Sequence, residues 1–321
     1  MVRGSGGTMA IRRRTGKAGR NTTIALTAMV LPGAIWLALF RYAPMFGIII
    51  SFKNFKLPNP RLGILEDIIS RDWVGLRNFQ VLFGNPMTFN VIRNTLLYNI
   101  TFIVLGMVIA VAFAIMLNEI SRKFVAKAYQ TAMFFPYFLS WVVVSYFLWA
   151  FISPKNGLID PASLGLTNFY MQTEPWPFIL IFSYIWKMTG YSALIYLAAI
   201  TGIDPTLYEA ASTDGANKWK QITHVTLPHL RPIIIILFIM NVGRIFNADF
   251  GQFWSLPIEG GMASVPNVTG VVDTFVYSLL RTSVNVGQST AVGLFQNCVG
   301  FACIMLANTI VRKVDRESAM F

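Results

Sequence analysis

The chain has 321 residues, of which 55% are hydrophobic and 12% are charged, and its mean hydropathy is +0.57. A soluble globular protein carries about twice that charged fraction, so the composition excludes an ordinary soluble domain and indicates a membrane protein. The formal charge of +12 does not indicate a nucleic-acid-binding protein, because no stretch interleaves basic and aromatic residues on a polar face.

Apolar segments along the chain predict an all-α polytopic fold with about six transmembrane helices, since a span needs about 20 apolar residues. The segments cover approximately residues 24–50, 95–117, 128–152, 177–200, 230–254 and 288–311. Arg41 and Pro44 interrupt the first segment, so we expect its membrane part to end near Phe40. An even number of spans places both termini on one side, and the basic short loops and tails place that side in the cytoplasm.

The chain before the first segment, residues 1–23, is predicted to be a basic cytoplasmic tail. Its basic residues are Arg3, Arg12, Arg13, Arg14, Lys17 and Arg20. They resemble the start of a signal peptide, but the apolar run that follows is long and lacks a small-residue cleavage site, which favours a retained helix. Residues 24–316 are predicted to form one transmembrane domain, and residues 317–321 a short cytoplasmic tail.

Residues 203–228, between the fourth and fifth segments, predict a cytoplasmic helix-turn-helix. Asp204 is a candidate N-cap, Pro205 suits a first helical turn, and Gly215 can adopt the turn conformation that other residues resist. A second helix is expected from about residue 217 to residue 225, after which Pro228 and Pro232 restart the chain as the fifth span. Small residues on the first helix and turn allow close approach of a partner's backbone, which predicts a docking element; the alternative is an ordinary amphipathic loop.

The chain shows no signature of an enzyme or of a cofactor site of its own. It lacks the G-x-x-x-x-G-K-[ST] phosphate loop, and the nearest stretch, Gly16-Lys17-Ala18-Gly19, lacks the preceding strand and the spacing. Cys298 and Cys303 have neither a redox nor a zinc spacing, and His224 and His229 are interpreted as polar loop residues. We therefore expect no catalytic residue, no metal and no cofactor in this chain.

The cytoplasmic loop resembles the EAA loop of ABC importer permeases. The matching residues are Glu209, Ala210, Ala211, Asp214 and Gly215, followed by Ile222 and the pair Leu227-Pro228. Weaker strings extend the resemblance over about residues 24–316, and they are similar to the complex-oligosaccharide branch of the maltose-type importers. These strings are Trp73–Phe79 with Asn94-Thr95, Pro136–Trp141, Ser153–Ile159, Ile185–Lys187 and Ala291–Phe295.

This resemblance implies a permease subunit of a type I ABC importer in the bacterial cytoplasmic membrane. The expected partners are a second homologous permease, two ATPase subunits that bind ATP and magnesium, and an extracytoplasmic solute-binding protein. The EAA residues would dock on an ATPase subunit, and an oligosaccharide would cross by alternating access.

Polar residues inside the fourth and fifth segments predict a substrate pathway. A charge at mid-bilayer costs at least about 2.5–3.5 kcal/mol, so such residues usually face a cavity or a partner. The candidates are Lys187, Tyr191, Asn241, Arg244, Asn247, Asp249, Phe250 and Gln252, of which the resemblance places 246–250 on an asparagine-rich stretch that lines the sugar site. Aromatic rings at Tyr191, Phe250 and Trp254 suit stacking on sugar faces.

Two positions in this set have an alternative interpretation. Arg244 and Asp249 would also suit a structural pair at a subunit interface, and Lys187 would also suit a side chain that snorkels to a lipid head group. Arg244 further suggests that the oligosaccharide carries uronic acids, because a guanidinium binds a carboxylate through two parallel hydrogen bonds. Asp249 argues against this hypothesis, since its carboxylate would neutralise Arg244.

Three other functions remain as alternatives. An ABC permease for a non-sugar solute would share the docking loop. An ion-driven secondary transporter would need no such loop and usually shows inverted repeats or broken helices, neither of which is evident in the sequence. An intramembrane enzyme would require paired acids or a histidine cluster, which the sequence lacks.

Overall fold

The structure, a computed structural model, describes residues 17–84, 86–153, 157–165, 168–257 and 267–314. The basic residues before Lys17, the middle of the Ser153–Ile159 string and the predicted tail 317–321 lie outside the described residues. Within the described part the chain is helical and has no strand, with one isolated bridge between Lys53 and Trp73. The predicted all-α fold is confirmed.

Shorter α-helices connect the long α-helices of the spans. They are α1 (Lys17–Leu37), α2 (Ile64–Ser70), α3 (Gln80–Phe83), α4 (Pro86–Asn118), α5 (Lys123–Phe134), α6 (Trp141–Ile152), α7 (Trp176–Thr201), α8 (Pro205–Thr213), α9 (Lys218–Gln221), α10 (Leu227–Val242), α11 (Phe250–Ser255), α12 (Val272–Arg281) and α13 (Val286–Val314).

Five helices in the described residues are long and apolar enough to cross a membrane, and a sixth span is present if the bent pair Lys123–Phe138 and Trp141–Ile152 counts as one. That pair, the predicted third span, bends by 99°. A 3₁₀ turn over Phe135–Phe138 precedes the bend, and Pro136 within it cannot donate a backbone hydrogen bond. The predicted span 128–152 is therefore two helices and not one.

The helix of the first span is longer than its expected membrane part. It runs from Thr22 to Phe52, and so continues beyond Phe40. A π turn over Ala38–Tyr42 follows α1, and a 3₁₀ helix over Ala43–Phe52 follows the turn. This change in hydrogen-bond register accommodates Pro44, so the chain stays helical through the expected interruption.

The centre of the main body is the contact between α4 and α7, the second and fourth spans. Small residues on the two helices, Ala110, Ala114 and Ala193, are fully buried there and let the backbones approach closely, as is common between membrane helices. Towards the other end of α7, Trp176 and Leu180 are fully buried with Phe253 of α11. The α4–α7 pair is thus the frame against which α10, α11 and α13 are placed.

Two asparagines from the strings that resemble the permease family each hold a different part of the chain. The Asn78 amide donates to the carbonyls of Ser51 and Lys53, both at 2.9 Å, and so holds the segment between the first and second spans. The Asn94 amide donates to the carbonyls of Asn267 and Gly270, just before α12, at 2.9 and 3.1 Å. Both strings therefore have a structural role, since their amides bind backbone carbonyls of other segments.

A buried acid stabilises the same outer segment. Asp67 is 2% exposed and accepts hydrogen bonds from the Arg71 guanidinium and the Asn59 N–H, both at 2.8 Å. These bonds, that from Arg71 first, hold the pKa of the Asp67 carboxyl below its usual value. The resulting stability is present above the ordinary carboxyl pKa and is lost as the pH falls through the lowered one.

The crossing of α5 and α7 requires a glycine at position 190. A Cβ atom on Gly190 would overlap the carbonyl group of Met133. Gly190→Ala is therefore expected to lower the free energy of unfolding by about 1–3 kcal/mol, as overpacking does, which is measured as a lower Tm of the purified protein. Gly106→Ala is the matched control, because its Cβ would lie 3.9 Å from the Tyr184 ring in ordinary contact. Equal Tm values for the two variants would contradict the close crossing.

Candidate functional site

The predicted docking loop is a helix-turn-helix. The Asp204 carboxylate accepts a hydrogen bond from Thr206 N–H at 2.9 Å and caps α8, and this bond holds the pKa of Asp204 below its usual value. Gly215 has a φ of +76°, the left-handed conformation that ends α8 and reverses the chain. Asn217 then caps α9 by accepting from Lys220 N–H at 2.9 Å. The predicted N-cap, turn and second helix start are confirmed.

The second helix of the loop does not end before the fifth span. From Lys218 to Val242 the chain is one helix of 25 residues, with a π turn over Ile222–Thr226. In this turn Leu227 N–H donates to Ile222 O, which shifts the hydrogen-bond register just before Pro228. The expected restart at Pro228 and Pro232 is wrong, because both prolines lie inside the continuous helix.

Side-chain hydrogen bonds brace the two halves of the loop. The Tyr208 hydroxyl lies 2.9 Å from the Thr226 hydroxyl, and the Gln221 amide donates to the Ser212 hydroxyl at 2.8 Å. Lys218 forms an ion pair at 2.9 Å with Glu119, which follows the end of α4. The loop is therefore fixed both to the start of the fifth span and to the end of the second.

Most of the EAA residues lie on the accessible side of this braced loop. Glu209, Ala210, Asp214, Gly215 and Pro228 are exposed, and Ala211, Ile222 and Leu227 are half-buried. Trp219 is 71% exposed on α9 beside them. Sequence reasoning missed Trp219, although an aromatic residue between two lysines in a cytoplasmic loop is a recognisable signal of a contact surface.

The predicted fifth span is broken in the middle of its polar stretch. The helix α10 ends at Val242, residues 243–249 are turn and extended chain, and α11 begins at Phe250. The i, i+3, i+7 spacing of Asn241, Arg244 and Ala248 in the sequence is typical of one helical face, but this face does not form, since Arg244 and Ala248 lie beyond the end of α10. The absence of broken helices, expected from the sequence, is also wrong.

Side chains from three other helices satisfy the backbone of this break. Asn99 of α4 donates to the carbonyls of Ile245 and Asn247 at 2.9 and 3.3 Å. Gln296 of α13 donates to Phe246 O at 2.8 Å, and Asp273 of α12 accepts from Ala248 N–H at 2.7 Å. Irregular backbone is tolerated at membrane depth only when protein or water satisfies its polar groups, and here protein does so.

Three of the predicted pathway residues are engaged in contacts inside the chain. Lys187 is 5% exposed, and its Nζ donates to Tyr137 O at 2.8 Å. One oxygen of Asp249 accepts from the Trp141 indole at 2.6 Å, and the other caps α11. Gln252 is fully buried and donates to Leu180 O at 2.7 Å.

These contacts decide both alternative interpretations. Within the described residues, Arg244 forms no ion pair, so it is not paired with Asp249. Lys187 is held inside the protein by a backbone carbonyl, so it does not snorkel to a head group.

The other five pathway candidates are accessible. Tyr191, Asn241, Arg244, Asn247 and Phe250 are all exposed. Tyr191 and Asn241 line one cavity of about 160 Å³ between α4, α7 and α10. These five side chains therefore have surface that the rest of the chain does not cover.

Aromatic rings surround Phe250 and Tyr191. Phe250 and Trp254 stack with ring centroids 5.6 Å apart, and Tyr277 of α12 lies 5.0 Å from Phe250 and 4.7 Å from Trp254. Tyr191 stacks on Tyr137 at 4.6 Å. Tyr277 was not predicted, since it belongs to a short helix outside the apolar segments.

Residues 102–315 match the family described as the binding-protein-dependent transport system inner membrane component. The chain belongs to this family. It is therefore a multi-pass membrane permease of the ABC importer class, and the family predicted from the docking loop is confirmed. An ion-driven transporter and an intramembrane enzyme are excluded.

Known relatives cover almost the whole permease. It is 35% identical over 296 residues to the polygalacturonan/rhamnogalacturonan transport system permease protein YteP of Bacillus subtilis, covering 91% of this chain and 89% of that one. A crystal structure of a bacterial ABC transporter involved in the import of the acidic polysaccharide alginate contains a similar chain. That chain has a TM-score of 0.79 and 31% identity, over 93% of this chain and 98% of its own length.

A second crystal structure shows the bacterial alginate ABC transporter in complex with an alginate pentasaccharide-bound periplasmic protein. Its similar chain has a TM-score of 0.79 and 30% identity, over 92% of this permease and 97% of its own length. The sequence resemblance to the oligosaccharide branch is thus confirmed.

The backbone of the break is predicted to depend on Gln296. Gln296→Leu leaves Phe246 O without its donor, and an unpaired buried polar group costs about 1–3 kcal/mol, so the Tm of the purified permease should fall. Asn297→Leu is the control, because that exposed neighbour bonds only within its own helix, to Gly293 O. If both variants have the wild-type Tm, Gln296 does not support the break.

Proposed function

We propose that this permease forms one half of a pathway for acidic oligosaccharides, together with a second, homologous permease. Two separate ATPase subunits, which bind ATP and magnesium, would drive the pathway, and an extracytoplasmic binding protein would deliver the sugar. The proposal places both termini in the cytoplasm, on the side of the docking loop. The single observation that carries the choice of substrate is Arg244 in the broken fifth span, which is exposed and has no ion pair within the described residues.

The charge at position 244 supports an acidic substrate. The one nearby acid in the sequence, Asp249, uses its carboxylate on the Trp141 indole and on the start of α11. It therefore does not neutralise Arg244, which removes the main argument against this substrate. An exposed, unpaired guanidinium at a broken span is an efficient ligand for a carboxylate, which it binds through two parallel hydrogen bonds.

The relatives support the same class of substrate. YteP is named for polygalacturonan and rhamnogalacturonan, and the similar crystal structures are of importers of alginate, an acidic polysaccharide. A sugar of that class offers a carboxylate for Arg244, hydroxyl groups for Asn241 and Asn247, and apolar ring faces for Phe250. The exposed side chains of this permease therefore supply partners for the carboxylate, for the hydroxyl groups and for the ring faces of such a sugar.

The need for partner subunits follows from surface and sequence. Only 22% of the most apolar window of α4 and 33% of that of α7 are buried within the chain, so lipid or another protein must cover the rest. The full sequence also lacks a phosphate loop. ATP binding is therefore assigned to partner subunits that dock on the EAA residues.

A continuous helix connects the docking loop with the substrate residues. The 25 residues from Lys218 to Val242 span about 37 Å at the α-helical rise of about 1.5 Å per residue. The break that carries Arg244 and Asn247 begins directly after it. A displacement of the loop by the ATPase would therefore move the start of the break, as alternating access requires.

Substrate charge is tested with Arg244→Gln in the reconstituted importer. Loss of charge-assisted hydrogen bonds worth about 1.5–3 kcal/mol should raise KM for an acidic oligosaccharide about 10- to 100-fold. A neutral oligosaccharide of equal length should support little transport by the wild-type importer or by the variant. Arg312→Gln, an exposed change near the end of α13, is the control. The acidic proposal fails if the wild-type importer transports only the neutral sugar, or if Arg244→Gln affects both sugars equally.

Docking of the ATPase is tested at the turn. Nothing lies within 4 Å of a Cβ atom on Gly215, so Gly215→Trp should fold but should block a close-fitting partner and abolish co-purification of the ATPase. The controls Gly215→Asn and Gly215→Ala should retain most of the ATPase co-purification. Asn tolerates positive φ, and Ala has the same backbone strain as Trp without its bulk. Glu209→Ala should weaken docking less, since an exposed charge contact contributes only about 0–1 kcal/mol. Full co-purification with Gly215→Trp would disprove docking at this turn.

A further inference from the structure

The bend of the third span leaves a backbone carbonyl that a distant lysine satisfies. Tyr137 lies in the 3₁₀ turn over Phe135–Phe138, just before the 99° bend. The only donor recorded for its carbonyl oxygen within the described residues is Lys187 Nζ, at 2.8 Å. The ammonium group also lies over the rings of Tyr137 and Trp141, at 5.4 and 5.3 Å from their centroids. Lys187 therefore stabilises the bend by a hydrogen bond and by cation–π contacts.

The residue after the bend connects it to the break of the fifth span. Trp141, the first residue of α6, is 7% exposed, and its indole Nε1–H donates to Asp249 at 2.6 Å. The other oxygen of Asp249 accepts from the N–H groups of Gly251 and Gln252 at 3.0 and 3.4 Å. A Cβ atom on Gly251 would lie 2.8 Å from Trp141 Cδ1, so the indole packs directly on the start of α11.

The charges at Lys187 and Asp249 contact the same indole ring, the ammonium over its face at 5.3 Å from the centroid and the carboxylate at the Nε1–H on its edge. The two groups form no direct ion pair within the described residues. A buried ammonium without a partner would be costly, and here a carbonyl and two aromatic faces provide its partners. Neither charge is available for a solute, because Lys187 is buried and both oxygens of Asp249 accept hydrogen bonds.

We propose that Lys187, Trp141 and Asp249 form a bridge that holds the bend of the third span against the break of the fifth, and that all three are positioning residues. The bridge fixes the C-terminal end of the break, whereas Arg244 and Asn247 lie on its exposed part. Its function is to place those residues for the solute while the spans move. The inference rests on the permease function but not on the acidity of the substrate.

The test measures KM and Vmax for two transported oligosaccharides that differ in charge, or in length if only one charge class is transported. Trp141→Phe removes the indole N–H with the rest of the pyrrole ring and keeps a smaller aromatic ring under Lys187. Lys187→Met removes the ammonium with little change in length. Loss of one charge-assisted hydrogen bond, about 1.5–3 kcal/mol, should lower Vmax about tenfold or more for both sugars, with KM within about twofold of wild type.

Two further variants separate positioning from a general loss of stability. Lys187→Arg should restore most of the Vmax, because a guanidinium also donates to a carbonyl and stacks on aromatic rings. Combining Trp141→Phe with Asp249→Asn should lower Vmax by less than the product of the two single effects, since both weaken the same Trp141–Asp249 contact. Trp186→Phe is the matched control, because that indole on α7 is 41% exposed and takes no part in the bridge, and it should behave as wild type.

Gel filtration of each importer checks that the variants assemble. If Lys187→Met does not assemble, the conservative Trp141→Phe still decides the test. A selective rise in KM for one sugar, with Vmax unchanged, would show that the altered residue contacts substrate and would overturn the bridge. A wild-type Vmax in Trp141→Phe would also overturn it. The bridge predicts equal effects on Vmax for both sugars. The outcome of this test therefore does not depend on which sugar Arg244 selects.

Discussion

A backbone that leaves the helical conformation inside a membrane must find partners for its polar groups within the protein. Hydrocarbon offers no hydrogen bonds, and each unsatisfied N–H or C=O group costs several kcal/mol there. This permease departs from the helix in the third and in the fifth predicted span, and both departures are satisfied by side chains from elsewhere. Asn99, Gln296 and Asp273 serve the break, and Lys187 serves the bend. These bonds connect α4, α12 and α13 to the break, and α7 to the bend.

The same arrangement separates two kinds of polar residue in the spans. Lys187, Asp249 and Gln252 are bound to other parts of the chain, so their charges and amides determine geometry. Tyr191, Asn241, Arg244, Asn247 and Phe250 are exposed, so their groups are not used in holding the chain together. Hydropathy alone treats the two kinds alike, because it measures the cost of a polar residue and not the partner that offsets it.

Transmission between the two ends of the permease depends on the continuous helix from Lys218 to Val242. The end at Lys218 is braced to α8 by the Tyr208–Thr226 and Gln221–Ser212 bonds and to the end of α4 by the Lys218–Glu119 pair. Its other end is the break. A rigid rod with a braced start and an irregular, side-chain-supported end is suited to convert a shift of the docking loop into a rearrangement of the residues at the break.

The sequence by itself determined the features that depend on neighbouring residues. The spans were visible because an apolar segment must be long enough to cross the hydrocarbon, and the docking loop because its cap, turn glycine and small residues follow one another within about 25 positions. Only the tertiary structure decided where the spans break and which of their polar residues are bound within the chain. The Asn99 and Gln296 side chains lie 146 and 50 residues from the carbonyls that they satisfy, and Asp249 is 108 residues from Trp141. Hydrogen bonds at such separations form only after the helices have packed, so no local pattern records them.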